Sequence, residues 1–524
     1  MLNRRCKRMS ETRPGIFSRE AERWPQFGIC LLTLYATVRA IVAAHIRPFW
    51  FDEILTWIMS HQPNVAAIWN GIRQVVDGQP ILFYLIERAF AILPNREIAL
   101  RLPSVAGFDC VLICLFVFVR RRSGAVYGLV SAAIAMLTSL YMPFAIEARP
   151  YSLVAACVAM ALVAYQRADQ LRWAALMALA LAMAECLHYY SVFALIPFAA
   201  AEIALSWQMS KIRWSIWIAL AFGALPLAVF WPILAHIKAV LGGNRSLWPI
   251  SADLVHIYGG FLNISWYLGL PVAIVCGLAL VGALSPASAS GLPLSRRELP
   301  NETSDKFWHE RVLIAFLLAV PLLVIVTVRL LHGGFVDRYV IYAVLGVPLT
   351  AGVLLPRLGQ RALILFSALL ACSIALQEAS FWFFPEQPLW SFQSPAEGAE
   401  SLLKDAGHTD LPVVVADSFN YPVLDFYAPD SLARRLVTVT SAPTWRPGSA
   451  DQAVSLMATY YPFKVYDFTA WHSTHPSFLL YSSLGDLQNW WAGNLVQSDY
   501  DLRPVASNED HIVFLVSSPE TRVH

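Results

Sequence analysis

Two adjacent carboxylates, Asp52 and Glu53, close the segment Pro48-Phe49-Trp50-Phe51-Asp52-Glu53, just after the first strongly apolar stretch of the chain. The neighbouring aromatic side chains would hold such a segment at a membrane surface, where a carboxylate loses part of its hydration. Desolvation raises its pKa toward the range in which it works as a general base. The plainer reading is a solvated acidic pair at a helix start, where negative charge also suits the helix dipole. A second set is Glu147-Ala148-Arg149-Pro150-Tyr151. An acid and a base two residues apart, in a short turn between apolar spans, are costly beside hydrocarbon. Such groups face a cavity or partner each other, and Pro150 suits the first turn of the helix that follows.

The third set is Gly333-Gly334-Phe335-Val336-Asp337-Arg338-Tyr339. Flexible glycines followed by an arginine at a helix start suit the capture of an anionic head group; the alternative is an Arg338 that only snorkels to the interface. The fourth is Asp77-Gly78-Gln79-Pro80-Ile81-Leu82-Phe83-Tyr84, followed by Arg96 to Pro103. Arg101 there could face the same space, and His188, in His188-Tyr189-Tyr190, could line it. A lone histidine of this kind is more often a hydrogen-bonded structural residue than a metal ligand. Each set is weak alone. Together, carboxylates, arginines and aromatics gathered at one membrane–water boundary describe a cavity for a lipid-linked anion.

The elements that must position these residues are membrane helices. The chain is 57% hydrophobic and only 14% charged, with a mean hydropathy of +0.54. Repeated apolar stretches of about 20 residues call for a bilayer. Spans are expected near 26–45, 104–119, 125–143, 151–165, 173–187, 190–206, 215–235, 264–284, 312–331, 340–355 and 362–384, about eleven in all. The 173–206 stretch reads as a helical hairpin or as one long segment, since only His188, Tyr189 and Tyr190 interrupt it.

Arg120 to Arg122, Arg167, Arg172, Lys211, Arg213, the segment 296–311, Arg357 and Arg361 fall on one side. The positive-inside rule then puts the basic N-terminus 1–25 in the cytoplasm and residues 385–524 outside. The first external loop, 46–103, has amphipathic stretches at 63–75 and 81–93 that suit helices lying in the interface. Residues 385–524 read as a small α/β domain, with a helix at 396–406 and strands at 411–416, 435–440, 477–481 and 512–517. The segment 285–311 reads as a linker.

The net charge of +2 and the absence of a basic, aromatic-interleaved stripe give no sign of nucleic-acid binding. The eight cysteines lie in the N-terminus or inside apolar spans without CxxC spacing, which gives neither a disulfide framework nor a metal site.

In this order the motifs resemble those of polytopic glycosyltransferases of the GT-C fold. The particular likeness is to the dolichyl-phosphate-mannose protein mannosyltransferase-like family and its bacterial relatives, including the aminoarabinose transferases of lipid A. The matching residues are Phe51-Asp52-Glu53, Gln79-Pro80-Ile81-Leu82-Phe83-Tyr84, Ala99-Leu100-Arg101-Leu102-Pro103-Ser104, Glu147-Ala148-Arg149-Pro150-Tyr151 and Asp337-Arg338-Tyr339. The family usually has His-Pro-Pro-Leu-Tyr-Tyr where Gln79 to Tyr84 stand, and losing the histidine puts metal assistance in doubt.

The resemblance implies an α-helical polytopic membrane protein with a GT-C-like domain over 26–384 and an extracytoplasmic α/β domain. It further implies an inner-membrane transferase, a hexosyl- or pentosyltransferase, that moves a sugar from a polyprenyl-phosphate donor to an acceptor hydroxyl with inversion. Asp52 and Glu53 are then the expected catalytic acids. Arg149, Glu147, Tyr151, Arg338, Arg101, Gln79, Tyr84 and His188 are the expected substrate contacts. No cofactor is called for, and the acceptor (protein, lipid or glycan) stays open. A transporter of lipid-linked saccharides would also need membrane arginines, but would place them at mid-bilayer in related halves.

Overall fold

A computed structural model describes residues 16–241, 307–331, 335–383, 395–440, 450–484 and 490–518. The expected span at 264–284, most of the linker and the glycine pair Gly333-Gly334 lie outside the described residues.

Helix α1 (Ile16–Ile46) is followed by three short helices: α2 (Phe51–Ser60), α3 (Val65–Arg73) and α4 (Ile81–Phe90). Then come α5 (Arg96–Ser123), α6 (Ala125–Ala135), α7 (Tyr151–Tyr165), α8 (Leu171–Leu187), α9 (Leu195–Met209), α10 (Trp214–Gly223) and α11 (Leu225–Leu241). Helices Trp308–Leu331, Gly346–Leu358 and Gln360–Phe383 complete the bundle. Seven helices among the described residues are long and apolar enough to cross a membrane, and α6 and α7 are shorter apolar helices. This is a multi-pass membrane protein. The 173–206 stretch is two helices, because His188 ends α8 in extended backbone and a 3₁₀ turn, Tyr189–Ala194, leads into α9.

Local chemistry sets the ends of the elements that carry the candidate residues. Asn64 and Asn95 accept the Ala67 and Ile98 N–H groups and so cap α3 and α5. Pro150 stands just ahead of α7, where a missing N–H costs nothing. Gly124 ends α5 at φ +102°, a conformation that disfavours a side chain. Gly107 lets α5 meet α7: a Cβ there would lie 2.8 Å from the Ser152 carbonyl carbon.

The C-terminal part forms a six-stranded sheet in the order β3-β2-β1-β4-β6-β5. Its strands are β1 (Val413–Val415), β2 (Leu436–Thr440), β3 (Val465–Asp467), β4 (Ser477–Ser483), β5 (Asp501–Ser507) and β6 (His511–Ser517). β3, β2, β1 and β4 run parallel, with Val413 beside Leu436 and Leu479; β6 pairs antiparallel with β4 and β5. One face (Val414, Val437, Leu480, Val516) packs on Trp471 and Trp491. Val413, Val415, Leu436 and Leu479, on the opposite face, join the core that continues into the helices of the first loop.

That continuity runs through aromatic contacts. Trp57 on α2 meets Phe426 at 5.1 Å and Tyr461 at 5.7 Å, edge to face, and Phe51 meets Phe419 at 4.9 Å. The Tyr427 hydroxyl accepts from the Phe49 N–H (2.6 Å) and donates to Glu97 (3.2 Å). The α/β domain therefore seats on the helix that carries Asp52.

Candidate active site

The site lies at the end of the bundle where α1 finishes, α5 and α7 begin, and α2 crosses. Its base is an ion pair with no solvent contact. Arg101 donates from Nε to Glu53 Oε1 (2.7 Å) and from Nη2 to Oε2 (2.6 Å), and both side chains are 0% exposed. Its remaining donors go to the carbonyls of Ala44, Arg47 and Pro48. Glu53 also accepts the Ala148 N–H at 2.8 Å, so this one carboxylate ties α1, α2, α5 and the α7 turn together. Burial alone would raise its pKa; the Arg101 charge and hydrogen bonds outweigh that and hold it below the usual carboxylate range.

Above this pair is a second cluster. Arg149 donates to Asp77 at 2.8 Å and lies 3.7 Å from Asp52. Arg338, from the 3₁₀ segment Asp337–Leu345, donates at 3.1 Å to the same Asp52 oxygen, Oδ2, that Arg149 approaches, and sits 5.3 Å over the Trp50 ring. Asp52 thus lies between two guanidinium groups, with 15% of its side chain exposed. Burial is the largest influence on it and Arg149 and Arg338 oppose it; with Asp77 and Glu53 adding negative charge, its pKa ends above the ordinary carboxylate value.

Glu147 does not pair with Arg149. It lies 3.8 Å from Arg47, and its Oε2 has no partner. Burial raises its pKa to about 7, against the pull of Arg47. His188 is buried among rings, 4.9 Å from Tyr339 and 5.9 Å from Tyr151. Burial first, then Arg149 and Arg338, lower its pKa to about 3, which keeps the imidazole neutral.

Several polar atoms near Asp52 and its arginines are buried and unpartnered: Trp50 Nε1, Arg149 Nε, Tyr151 OH and Arg338 Nε. Buried polar groups normally find partners. A patch of several that have none is suited to a polar ligand.

The structure thus gathers Asp52, Arg149, Arg338, Tyr151, Gln79, Tyr84, Glu147 and His188 at one end of the bundle. Glu53 and Arg101 lie beneath them, in contact with each other. Sequence reasoning missed Asp77 as the main partner of Arg149, although it opens the Asp77–Tyr84 motif. It also missed Arg47, Glu87 and Thr56, whose hydroxyl accepts from Arg149 at 3.3 Å. Glu87, on α4, is fully buried with neither oxygen partnered, and burial pushes its pKa well above the usual range. An ordinary helical heptad gave no signal for it. Among the described residues no group of three or more His, Cys, Asp or Glu side chains is placed to hold a metal ion.

No family model and no curated protein matches the sequence. Solved structures do. ArnT from Cupriavidus metallidurans in the apo state superposes with a TM-score of 0.58 at 12% identity, covering 94% of this chain and 98% of that one. The same ArnT bound to undecaprenyl phosphate gives 0.41 at 13% identity, over 93% and 97% of the two chains. The Archaeoglobus fulgidus oligosaccharyltransferase in complex with Zn and sulfate gives 0.41 at 11% identity, over 91% and 72%. The fold, helical bundle and appended α/β domain alike, is therefore the GT-C fold found in ArnT.

Proposed function

We propose that this chain is a membrane glycosyltransferase that moves a sugar from a polyprenyl-phosphate donor to an acceptor hydroxyl. The observation that carries the reading is Asp52, a desolvated but reachable carboxylate held between two arginines whose Nε atoms have no protein partner. The ArnT-like fold supports it.

Asp52 removes the acceptor proton as the hydroxyl oxygen attacks the anomeric carbon. The bond from that carbon to the phosphate oxygen breaks from the opposite side, which inverts the centre. The lipid phosphate leaves with a second negative charge, and Arg149 and Arg338 stabilise it as it develops. Tyr151, Tyr84 and the neutral His188 stand close to these arginines. Glu53 and Arg101 act as positioning residues, because their donors and acceptors are occupied by each other and by backbone. The basic residues Arg122 and Arg213, ion-paired with Glu310 and Glu202, lie at the far ends of their helices from this cavity. By the positive-inside rule this supports an extracytoplasmic position for the site and the α/β domain.

The test is turnover of labelled polyprenyl-phosphate sugars by the protein in nanodiscs. Asp52→Asn is expected to bind donor and lose about 10²–10⁴-fold in turnover, and Arg338→Gln to weaken donor binding. Wild-type turnover by Asp52→Asn overturns the reading. In proteoliposomes, donor that crosses the membrane without reacting points to a transporter instead.

A further inference from the structure

The charges of the site are already paired before any ligand arrives. Among the described residues, Arg101 is matched by Glu53, Arg149 by Asp77, and Arg338 by Asp52. An anion entering a buried site without spare positive charge pays a large desolvation cost. Among the four carboxylates ion-paired with these arginines and Arg47, the geometry singles out the one held most loosely. Glu53 has two guanidinium hydrogen bonds and a backbone N–H. Asp77 and Asp52 each have an arginine within 3.1 Å. Glu147 has only Arg47 at 3.8 Å, a side chain 27% exposed to solvent, and one oxygen with no partner although the residue is 5% exposed.

Resting on the donor reading above, we propose that Glu147 is the proton-accepting member of the donor site, so that the lipid phosphate anion and one proton bind together. The proton comes from solvent and resides on the Glu147 carboxyl, converting an acceptor-only carboxylate into a group that can donate a hydrogen bond toward the phosphate. The charged and titratable groups facing it are Arg47 from the end of α1, Asp52 and Glu53 from α2, Arg101 from α5, Tyr151 from α7 and Arg338 from the 3₁₀ segment. The rise of its pKa to about 7 puts the exchange near neutrality.

The sign follows from linkage. The anion favours protonated Glu147, so affinity is full below the pKa of that residue in the free protein. Above it affinity falls by about tenfold for each pH unit. Substitution by glutamine mimics the protonated acid and removes that fall.

The experiment is calorimetry of the full chain in neutral-lipid nanodiscs with a synthetic undecaprenyl methyl phosphodiester, which has no group titrating near neutrality. Titrations at pH 8.5 in buffers of different ionisation enthalpy count the protons taken up. Wild type is expected to take up about one proton per ligand and Glu147→Gln essentially none, with pH-independent affinity. Binding by wild type without proton uptake overturns the inference and leaves the donor reading standing. Uptake that persists in Glu147→Gln assigns the proton to another group and overturns it too. Absence of binding at every pH overturns the inference together with the donor reading. The wild-type proton count needs no variant to fold.

Discussion

Replacing Glu53 by glutamine separates a positioning role from a catalytic one. The substitution keeps shape and removes charge. It leaves the Arg101 guanidinium fully buried, facing an amide in place of the carboxylate that took its Nε and Nη2 hydrogen bonds at 2.7 and 2.6 Å. The three backbone carbonyls that remain on Arg101 are neutral. Breaking a buried ion pair from one side costs on the order of 3–5 kcal/mol, mostly from the charge left uncompensated. Arg101→Met should cost about as much by the same route, whereas Glu53→Leu with Arg101→Met removes both charges and should recover most of the loss. The assay is thermal unfolding of purified protein, with turnover measured on the fraction that stays folded. Both single variants should unfold earlier while the folded fraction keeps turning over. A Glu53→Gln protein with wild-type unfolding and turnover reduced a hundredfold would refute the positioning role and make Glu53 a second catalytic acid.

Three further outcomes follow from the same geometry. Turnover should fall as pH drops through the raised pKa of Asp52, because only the ionised base accepts a proton. Arg338→Gln should move that acid limb of kcat/KM to higher pH, since a charge that lowers the Asp52 pKa is gone, and an unmoved limb would assign the base elsewhere. Gly107→Ala should lower stability by about 1–3 kcal/mol and reduce turnover with it, because the new methyl meets Ser152 and Leu153 backbone within 2.9 Å and must push α7, which follows Arg149 directly, away from α5. Phe426→Ala should cost about 3–5 kcal/mol and speed hydrogen exchange in α2, since that ring packs on Trp57, Phe49 and Arg96; unchanged exchange would show that the α/β domain does not brace the Asp52 helix.

The bundle was legible because hydrocarbon imposes long apolar runs, and strands β1, β2 and β4 because they are buried on both faces; β6 showed through its apolar run Ile512–Val516. Strands β3 and β5 escaped for the complementary reason. Both are sheet edges, β3 carries the polar sequence Val465-Tyr466-Asp467, and β5 holds Pro504, which an edge tolerates. Helix α2 was legible only as a candidate helix start, since ten residues following a span do not announce where they end.

For the site, sequence named the residues and misjudged how they pair. Glu147 and Arg149 look like natural partners at a spacing of two. Yet the extended backbone at Glu147 turns the chain between them, so one reaches Arg47 and the other Asp77. The arginines show the same limit. Arg101, Arg149 and Arg338 have the same chemistry, each beside a motif, and nothing local says which one holds the protein together. Donor accounting does. Every N–H of Arg101 ends on Glu53 or a carbonyl at the base of the cavity, which leaves a ligand nothing to bind. Arg149 and Arg338 each keep a buried Nε without a partner, beside Asp52, which is more exposed than Asp77, Glu147 or Glu53. A group whose bonds are complete stabilises the fold, and a group whose bonds are incomplete in a buried site is built for something that arrives later.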